Sequence, residues 1–314
     1  MTLVDAPVFL VGSERSGTTL LRLMLDHHPK IAFNFESDYI ATQISDEGAY
    51  PEMKQYREWL TQDRAFQGSR FSIDERLDFV GLVNHFLIQK QARVGKELVG
   101  ATIHHQFHKL SRIWPRAKYI YLLRDGRDVA VSAMRMGWAG NTYIAADVWL
   151  EAEKERDDAR LNVGDERWLE VRYEDLIVST RPQLERICDF LGVEYSERMF
   201  DYVNTSTYDA PDPSLCYQWR TNLAKVEVQR LEEKLGDRLL SRGYPLSGYP
   251  RIMIPRLVKK YLFLQSRIEA YRYRLRLYGV GLTLRETLSR RLGLERLHRK
   301  TIAKINRVTD AHMK

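Results

Sequence analysis

The 314-residue sequence predicts an α/β protein with three layers, in which helices cover both faces of a central, mostly parallel sheet. Short apolar runs alternate with longer amphipathic stretches, which is typical of strands that are each followed by a helix. At 314 residues, of which 44% are hydrophobic, the chain is also large enough to bury an extensive core. The composition changes after residue 249, which indicates an additional helical appendage at the C-terminus.

Five strands and eight helices are predicted before the appendage, in the order in which apolar runs and helical periodicity alternate. The strands are placed near 7–12, 31–34, 97–101, 118–123 and 168–172. The helices are placed at 17–27, 52–64, 74–92, 105–113, 126–136, 141–160, 180–192 and 222–235. Asn141 or Thr142 is expected to cap the 141–160 helix, because short polar side chains accept hydrogen bonds from the first turn.

Residues 250–314 differ from the rest of the chain in charge and pattern. They carry 17 Lys or Arg and four Asp or Glu, a net charge of +13, whereas the whole chain has +7. Apolar residues recur at spacings of three or four and predict a striped helix, broken near Gly279. The stripe consists of Leu257, Tyr261, Leu264, Ile268, Tyr271 and Leu275. We therefore expect two parts, 1–249 and 250–314, and expect the second to contact the core, a second subunit or a membrane surface rather than nucleic acid.

Cysteine content and apolar runs predict a cytoplasmic protein, peripheral at a membrane if the striped helix lies on one. Cys188 and Cys216 are too few for a disulfide framework. No apolar run approaches the roughly twenty residues of a membrane span. The N-terminal residues also lack the basic and apolar pattern of a secretory leader.

Residues 8–21, which read VFLVGSERSGTTLL, are the most informative segment. A short apolar strand, a loop of small residues and a helix form a construction that binds phosphate through backbone N–H groups and the helix dipole. Gly12 and Gly17 keep the spacing of the phosphate-binding motif GxxxxGK[ST]. However, Thr18 replaces its lysine and the basic residue is Arg15. This favours a nucleotide whose phosphates are arranged differently from those of a triphosphate.

A second segment repeats the pattern of a strand followed by a charged turn and a helix. The strand 118–123 ends at Arg124, and a helix follows the turn 125–128. A guanidinium offers a two-pronged contact to phosphate, and a serine hydroxyl offers a neutral donor. We therefore expect Arg124 and Ser132, eight residues apart, to converge on one phosphate.

Taken in order, RSGTT at 15–19, RDGRD at 124–128 and RYEDL at 172–176 resemble the signatures of sulfotransferases that use 3′-phosphoadenosine-5′-phosphosulfate (PAPS). The resemblance runs from about residue 8 to about residue 244. It implies transfer of a sulfuryl group from PAPS to a hydroxyl or amine, with adenosine-3′,5′-bisphosphate (PAP) as product and no metal. The nucleotide-binding residues that it implies are Arg15, Ser16, Gly17, Thr18, Thr19, Arg124, Ser132, Tyr173 and Arg220.

The resemblance leaves two kinds of catalytic base open. Glu36 occupies the place of the glutamate that is the base in the carboxylate-base, tyrosylprotein-sulfotransferase-like branch. A carboxylate serves as a base at neutral pH if burial raises its pKa toward neutrality. His104 or His105 lies where cytosolic sulfotransferases carry a catalytic histidine. Asp38 is a further candidate carboxylate. Arg15 is expected to stabilise charge on the bridging oxygen.

One departure from the family pattern and two other functions are kept open. The lysine that many relatives carry before the 3′-phosphate strand is missing near Ala101, and Lys96 or His104 is the candidate replacement. The other functions are a phosphate-loop kinase, and a non-catalytic protein that binds membrane surfaces through residues 250–314. Aromatic residues between 50 and 138 suit a small-molecule, carbohydrate or lipid acceptor equally well.

Overall fold

The computed structural model describes residues 3–312 and contains one five-stranded sheet. Its strands are β1 Val8–Val11, β2 Ile31–Glu36, β3 Leu98–Ile103, β4 Lys118–Leu123 and β5 Trp168–Arg172. Their order across the sheet is β2-β3-β1-β4-β5, and every neighbouring pair is parallel. The predicted α/β class with a parallel central sheet is therefore confirmed.

Helices account for most of the remaining chain. The α-helices are α1 Thr18–His27, α2 Met53–Leu60, α3 Arg64–Ser69, α4 Phe79–Val94, α5 Gly126–Arg135, α6 Thr142–Ala145, α7 Asp147–Arg160, α8 Tyr173–Val178, α9 Thr180–Leu191, α10 Trp219–Asn222, α11 Lys225–Ser241, α12 Arg256–Arg291 and α13 Glu295–His312. Short 3₁₀ helices cover Asp38–Ile40, Phe107–Arg112, Asp165–Arg167, Glu197–Asn204 and Pro213–Leu215. Within residues 3–312, no helix has both the length and the apolar character needed to cross a membrane.

Several predicted helices differ from those in the structure. The helix predicted at 105–113 is a 3₁₀ helix, and the one predicted at 141–160 is divided into α6 and α7. Helices α3, α8 and α10 are additional. Each of these spans four to six residues, too few for a helical period to stand out in the sequence.

The chain forms two compact units. The sheet unit comprises the residues up to Arg124 together with Trp149–Cys216, and the helical unit comprises Asp125–Val148 and the residues from Tyr217 onward. The sheet and its covering helices α1, α8 and α9 belong to the first. Helices α5, α6 and α10 to α13 belong to the second. The boundary predicted at residue 249 stays a prediction.

Strand β1 is the middle strand of the sheet, and all four of its side chains are apolar and buried. Val8 pairs with Gly100 of β3 on one side and with Lys118 of β4 on the other. Leu21 and Leu25 of α1 pack in the same core as the strand. Burying one such leucine contributes about 1.5–3 kcal/mol, so this layer fixes α1 firmly over the sheet.

The strand order places a crevice at the carboxyl ends of β1 and β4. From β1 the chain passes to β2 on one side of the sheet, whereas from β4 it passes to β5 on the other side. Connections that leave adjacent parallel strands in opposite directions create an opening in which ligands bind. The β1–α1 loop, residues 12–17, and Arg124 both begin at this edge.

A buried ion network holds the helical unit together around Arg127. This side chain donates to both carboxylate oxygens of Asp125, at 3.0 and 2.7 Å, and to Glu232 Oε1 at 2.7 Å. Its guanidinium lies 3.8 Å from a ring centroid of Trp219, whose Nε1 donates to Asp125 Oδ2. The network therefore joins the start of α5 to α10 and α11.

Replacing Arg127 with alanine is expected to lower the free energy of unfolding by about 3–5 kcal/mol, because buried carboxylates lose their counter-charge. Urea unfolding monitored by circular dichroism measures the change. Arg135→Ala, at an exposed position on the same helix, is the matched control and should change it by less than about 0.5 kcal/mol. An unfolding midpoint of Arg127→Ala equal to that of the wild type contradicts the anchoring role.

Candidate active site

Two glycines allow the β1–α1 loop to approach its neighbours closely. A Cβ atom at Gly12 would lie 2.6 Å from the Leu122 carbonyl oxygen of β4. Gly17 has φ 92°, and a Cβ atom there would lie 2.4 Å from the ring of Tyr173. Only glycine accommodates both the positive φ and the contact. The loop backbone is thus held between β4 and the first residue of α8.

The loop presents a buried donor beside the amino end of α1. Ser16 is fully buried, and its Oγ has no hydrogen-bond partner among residues 3–312. Leaving a buried hydroxyl unpaired costs about 1–3 kcal/mol, so a ligand that accepts from it would recover this energy. Gly17 caps α1 without a side-chain hydrogen bond, and the first turn contains no acidic residue. The helix dipole therefore favours an anion at this point.

Arg124 joins the loop to the end of β4. Its Nη1 donates to the carbonyl oxygen of Arg15 at 3.0 Å, and its Nη2 donates to that of Leu215 at 2.8 Å. The guanidinium also lies 4.2 Å from the ring centroid of Tyr173. The structure therefore brings together three predicted nucleotide-binding residues, Arg15, Arg124 and Tyr173.

Two further predicted nucleotide-binding residues, Ser132 and Arg220, lie in the helical unit. Ser132 is on α5, and Arg220 is exposed on the short helix α10. The Arg220 guanidinium lies 4.7 Å from the ring centroid of Tyr217, which is two residues before the start of α10 in that unit. The phosphate contacts expected of Ser132 and Arg220 stay predictions.

His104 supports the loop from beneath. The side chain is buried, with Nδ1 3.0 Å from the Gly12 carbonyl oxygen and Nε2 3.4 Å from Thr18 Oγ1. A carbonyl oxygen only accepts, so in the neutral ring Nδ1 carries the proton and Nε2 accepts from the Thr18 hydroxyl. Nδ1 therefore contacts the loop, and Nε2 contacts the first residue of α1.

Asp38 fixes the backbone that follows β3. Its Oδ1 accepts from the backbone N–H groups of His104 and His105 at 2.7 and 2.8 Å. These contacts give the carboxylate a positioning role next to the loop.

His105 forms an ion pair with the loop. Its Nε2 lies 3.6 Å from Glu14 Oε2, and the hydrogen bond to Glu14 raises the pKa of His105 from its ordinary value of 6.5 to about 9. Burial acts to raise the pKa of Glu14, but the contacts with His105 and His104 outweigh it and the pKa is lowered. Both groups are therefore charged at neutral pH.

Glu36 ends β2 at a bulge. The register between β2 and β3 shifts between Asn34 and Glu36, and Glu36 is opposite Thr102. Its side chain is 45% exposed, and Oε2 lies 3.7 Å from Arg64 Nη2. A cavity of about 300 Å³ is lined by Thr19, Arg22, Phe35, Glu36 and Thr102. The predicted base and the start of α1 therefore share one cavity.

Sequence reasoning did not find three residues of this cavity, Arg22, Phe35 and Thr102. Arg22 follows Thr19 by three positions on α1, so helical spacing could have placed both on one face. Burial lowers the pKa of Arg22, against the charges of Asp26 and Glu36. Thr102 is buried, and its Oγ1 is unpartnered among the described residues. Its place opposite Glu36 depends on a strand register that the sequence does not reveal.

Lys96 does not replace the lysine that is missing near Ala101. Its Nζ donates to the carbonyl oxygens of Asp26 and Ile31. Ile31 begins β2 and Leu98 begins β3, so these contacts lie at the amino ends of the parallel strands. The β1–α1 loop lies at the opposite edge of the sheet, where the strands end.

Residues 7–197 match the model of a protein family described as the sulfotransferase family. The matched segment begins just before β1 and continues beyond α9, so it contains all five strands, the loop, Glu36, His104 and Arg124.

Individual proteins resemble the chain over similar or longer stretches. Protein-tyrosine sulfotransferase 2 of Gallus gallus is 28% identical over 206 residues, 62% of this chain and 53% of that protein. The chain thus spans about half the length of this relative. The omega-hydroxy-beta-dihydromenaquinone-9 sulfotransferase of Mycobacterium bovis is 23% identical over 302 residues, 77% and 76% of the two chains. A solved sulfotransferase domain from the curacin biosynthetic pathway has a similar fold, with TM-score 0.54, 22% identity and coverage of 78% and 100%.

The pair of Glu14 and His105 predicts a pH dependence of stability. The pKa of His105 is raised on folding. The contribution of the protonated His105 to the free energy of unfolding is therefore complete below pH 6.5 and is lost as the pH rises through about 9. The pair is partly exposed, so solvent screening limits the effect to less than about 1 kcal/mol. Urea unfolding at pH 6 and pH 9.5 measures it, and His105→Gln or Glu14→Gln should each remove this part of the pH dependence. An unchanged pH profile in both variants contradicts the pairing.

Proposed function

The chain belongs to the sulfotransferase family, and from this we propose that it transfers the sulfuryl group of PAPS to an acceptor hydroxyl or amine and releases PAP. The observation that carries the proposal is the β1–α1 loop, in which the buried Ser16 hydroxyl is unpartnered among the described residues and Arg124 contacts Arg15. Together they gather a hydroxyl, a guanidinium and a helix dipole at one edge of the sheet, which suits a nucleotide that carries both a 5′-phosphosulfate and a 3′-phosphate.

The residues of the loop fit the anionic end of PAPS. We propose that residues 15–19 hold its 5′-phosphosulfate, and that Ser16 Oγ donates to it. Arg124 is proposed to bind the 3′-phosphate, and Tyr173, which already contacts Gly17 and Arg124, to lie beside the nucleotide. When bound, PAPS supplies a sulfuryl group joined to a phosphate that leaves readily. The Arg15 guanidinium is proposed to stabilise the charge on the bridging oxygen.

Glu36 is the proposed base. Its carboxylate lines the same cavity as Thr19, which belongs to the loop signature, so an acceptor there lies within reach of both. Arg64 lies 3.7 Å from Glu36 Oε2 and orients the carboxylate. His104 is less suited to be the base, because Nδ1 already contacts the Gly12 carbonyl oxygen and Nε2 contacts the Thr18 hydroxyl. Nε2 would have to leave Thr18 to take a proton from the acceptor. Glu36 therefore takes the proton of the acceptor hydroxyl, and His104 positions the loop.

The acceptor group is proposed to be a hydroxyl. The relatives are named for tyrosine in proteins and for an omega-hydroxylated dihydromenaquinone, which both offer a hydroxyl on very different molecules. The cavity beside Glu36 combines an aromatic residue, Phe35, with the polar residues Arg22 and Thr102. Such a lining suits a hydroxylated small molecule, carbohydrate or lipid.

The sheet unit does not favour a phosphate-loop kinase. Thr18 stands where the kinase lysine is needed, and its hydroxyl lies 3.4 Å from His104 Nε2. Family membership likewise disfavours a purely non-catalytic binding protein. A cytoplasmic location is also proposed, since two cysteines are too few for a disulfide framework, as is usual in a reducing compartment.

Arg124→Ala is expected to weaken PAP binding by about 1.5–3 kcal/mol, or about 10- to 150-fold in Kd, because a charged hydrogen-bond donor is lost. Titration calorimetry measures the affinity. Arg116→Ala removes an exposed arginine of the sheet unit and should bind PAP as the wild type does. Wild-type affinity in the Arg124 variant rejects the proposed phosphate contact.

Glu36→Gln keeps the shape of the side chain but cannot take a proton. Turnover should fall by roughly 10²–10⁴, the usual contribution of a general base, with PAP affinity nearly unchanged. Transfer of labelled sulfate to the best acceptor from a panel of phenols, sugars and hydroxylated lipids gives the rate. Glu97→Gln, at an exposed carboxylate, is the control. Full turnover in Glu36→Gln together with its loss in His104→Gln would assign the base to the histidine.

A further inference from the structure

The last two helices fold into a compact hairpin within the helical unit. Gly279 interrupts α12 with φ 76° and ψ 163°. Arg274 Nη2 then contacts Glu286 Oε2 at 2.9 Å, although twelve residues of unbroken helix would separate them by about 18 Å. The chain therefore reverses direction at Gly279. Helix α13 packs against α12, and the hydroxyls of Tyr278 and Thr309 lie 3.1 Å apart. We call residues 256–309 the C-terminal hairpin.

The C-terminal hairpin buries mainly polar side chains. The buried polar residues are Ser266, Thr283, Glu286, Ser289 and Thr301. Two of these residues bond within the hairpin: Thr283 Oγ1 donates to the Gly279 carbonyl oxygen at 2.9 Å, and Ser289 Oγ lies 3.2 Å from His298 Nδ1. The buried apolar side chains of the described hairpin are Leu262 and Ile305 alone. This distribution is the reverse of an ordinary globular core.

The apolar side chains of the hairpin point outward instead. Leu257, Tyr261, Leu264 and Ile268 are 79, 63, 58 and 45% exposed. After Gly279, a second outward row follows at a spacing of four. It consists of Val280, Leu284, Leu288 and Leu292. Among the residues that the structure describes, twelve of the 24 exposed large hydrophobic residues lie between positions 253 and 294, so the exposed apolar surface is concentrated in this segment.

Contacts within the helical unit show that the first apolar row faces away from it. Gly140 N–H donates to Ser266 Oγ at 2.9 Å, and Asn141 Nδ2 donates to the Leu262 carbonyl oxygen at 2.8 Å. At about 100° per residue, Leu262 and Ser266 lie on the face of α12 opposite Leu257 and Ile268. Helix α12 therefore packs by the face that carries Leu262 and Ser266, and Leu257, Tyr261, Leu264 and Ile268 of the predicted stripe remain exposed.

Cationic residues flank the exposed stripe on both sides. Lys260 and Arg267 lie at one margin, and Arg272 and Arg276 lie toward the other, by the same helical spacing. Residues 250–314 carry a net charge of +13, so a second copy placed face to face would repel. An anionic lipid surface instead offers complementary charge and an apolar layer directly beneath it.

We propose that the C-terminal hairpin binds the surface of an anionic phospholipid membrane, with Leu257, Tyr261, Leu264 and Ile268 inserted at the interface and the flanking cations at the headgroups. The proposal does not depend on the transferase activity, because it concerns only the helical unit. It predicts binding that needs both the apolar row and the basic margins.

Vesicle sedimentation of the full chain tests the proposal. Binding is expected to vesicles of phosphatidylcholine with 30% phosphatidylserine, and not to phosphatidylcholine alone. Raising the salt from about 0.1 to 0.5 M should release the protein, because screening shortens the range of the attraction. Binding that is equal on both vesicles and insensitive to salt overturns the proposal, and so does an absence of binding to either.

Two sets of variants separate the contributions. Leu257→Gln/Leu264→Gln/Ile268→Gln should weaken binding at least tenfold, and Lys260→Gln/Arg267→Gln/Arg276→Gln by about 100-fold, since each basic residue near the surface adds several-fold. Leu161→Gln/Val178→Gln, at exposed apolar positions in the sheet unit, is the matched control and should bind as the wild type does. Urea unfolding checks that each variant is folded.

Light scattering distinguishes the competing occupant of the stripe. A dimer in the wild type that the apolar variant converts to a monomer, with no vesicle binding by the wild type, assigns the stripe to a second copy and overturns the membrane proposal. Wild-type vesicle binding in the folded charge variant also overturns it, even if the apolar variant fails to fold.

Discussion

The site depends on the close approach between the β1–α1 loop and β4. No side chain fits at Gly12 beside the Leu122 carbonyl oxygen, and the hydrogen bond from Arg124 to the Arg15 carbonyl closes the same gap one step further along. Backbone atoms are rigid compared with side chains, so this contact sets the position of Ser16 and of the amino end of α1. The surrounding polar contacts of His104 and Asp38 act on a loop that is already tightly placed.

Much of the fold and loop could be predicted because their determinants are local. The apolar run of β1, the small residues at 12–17 and the amphipathic start of α1 are adjacent in sequence. The shared cavity of Glu36 and Thr102 could not be predicted, since it depends on a bulge in the pairing of distant strands. The hydrogen bond from Lys96 to the Ile31 carbonyl oxygen could not be predicted either. It holds the lysine at the edge of the sheet opposite the β1–α1 loop. Strand pairing between distant segments is what sequence pattern does not encode.

The two units use charge in different ways. In the helical unit, Arg127 is enclosed with Asp125 and Glu232, so these charges organise packing and have no access to ligands. In the sheet unit, Arg15 and Arg22 are only partly buried and lie by the loop and the cavity, where a charged ligand can reach them. The extent of burial therefore distinguishes arginines that stabilise the fold from arginines that are candidates for binding a ligand. A motif such as RDGRD contains both kinds within four positions.

The central place of β1 has a consequence for synthesis of the chain. Val8 pairs with Gly100 and Lys118, so β1 leaves the ribosome before its partners and stays unpaired in the sheet until more than ninety further residues have been made. At about 5–20 residues per second, this strand waits on the order of 5–20 s with four apolar side chains unpaired. Long-range pairing of this kind slows folding and exposes nascent chains to aggregation. The yield of native protein should therefore respond to translation rate and to holdase chaperones acting on the N-terminal segment.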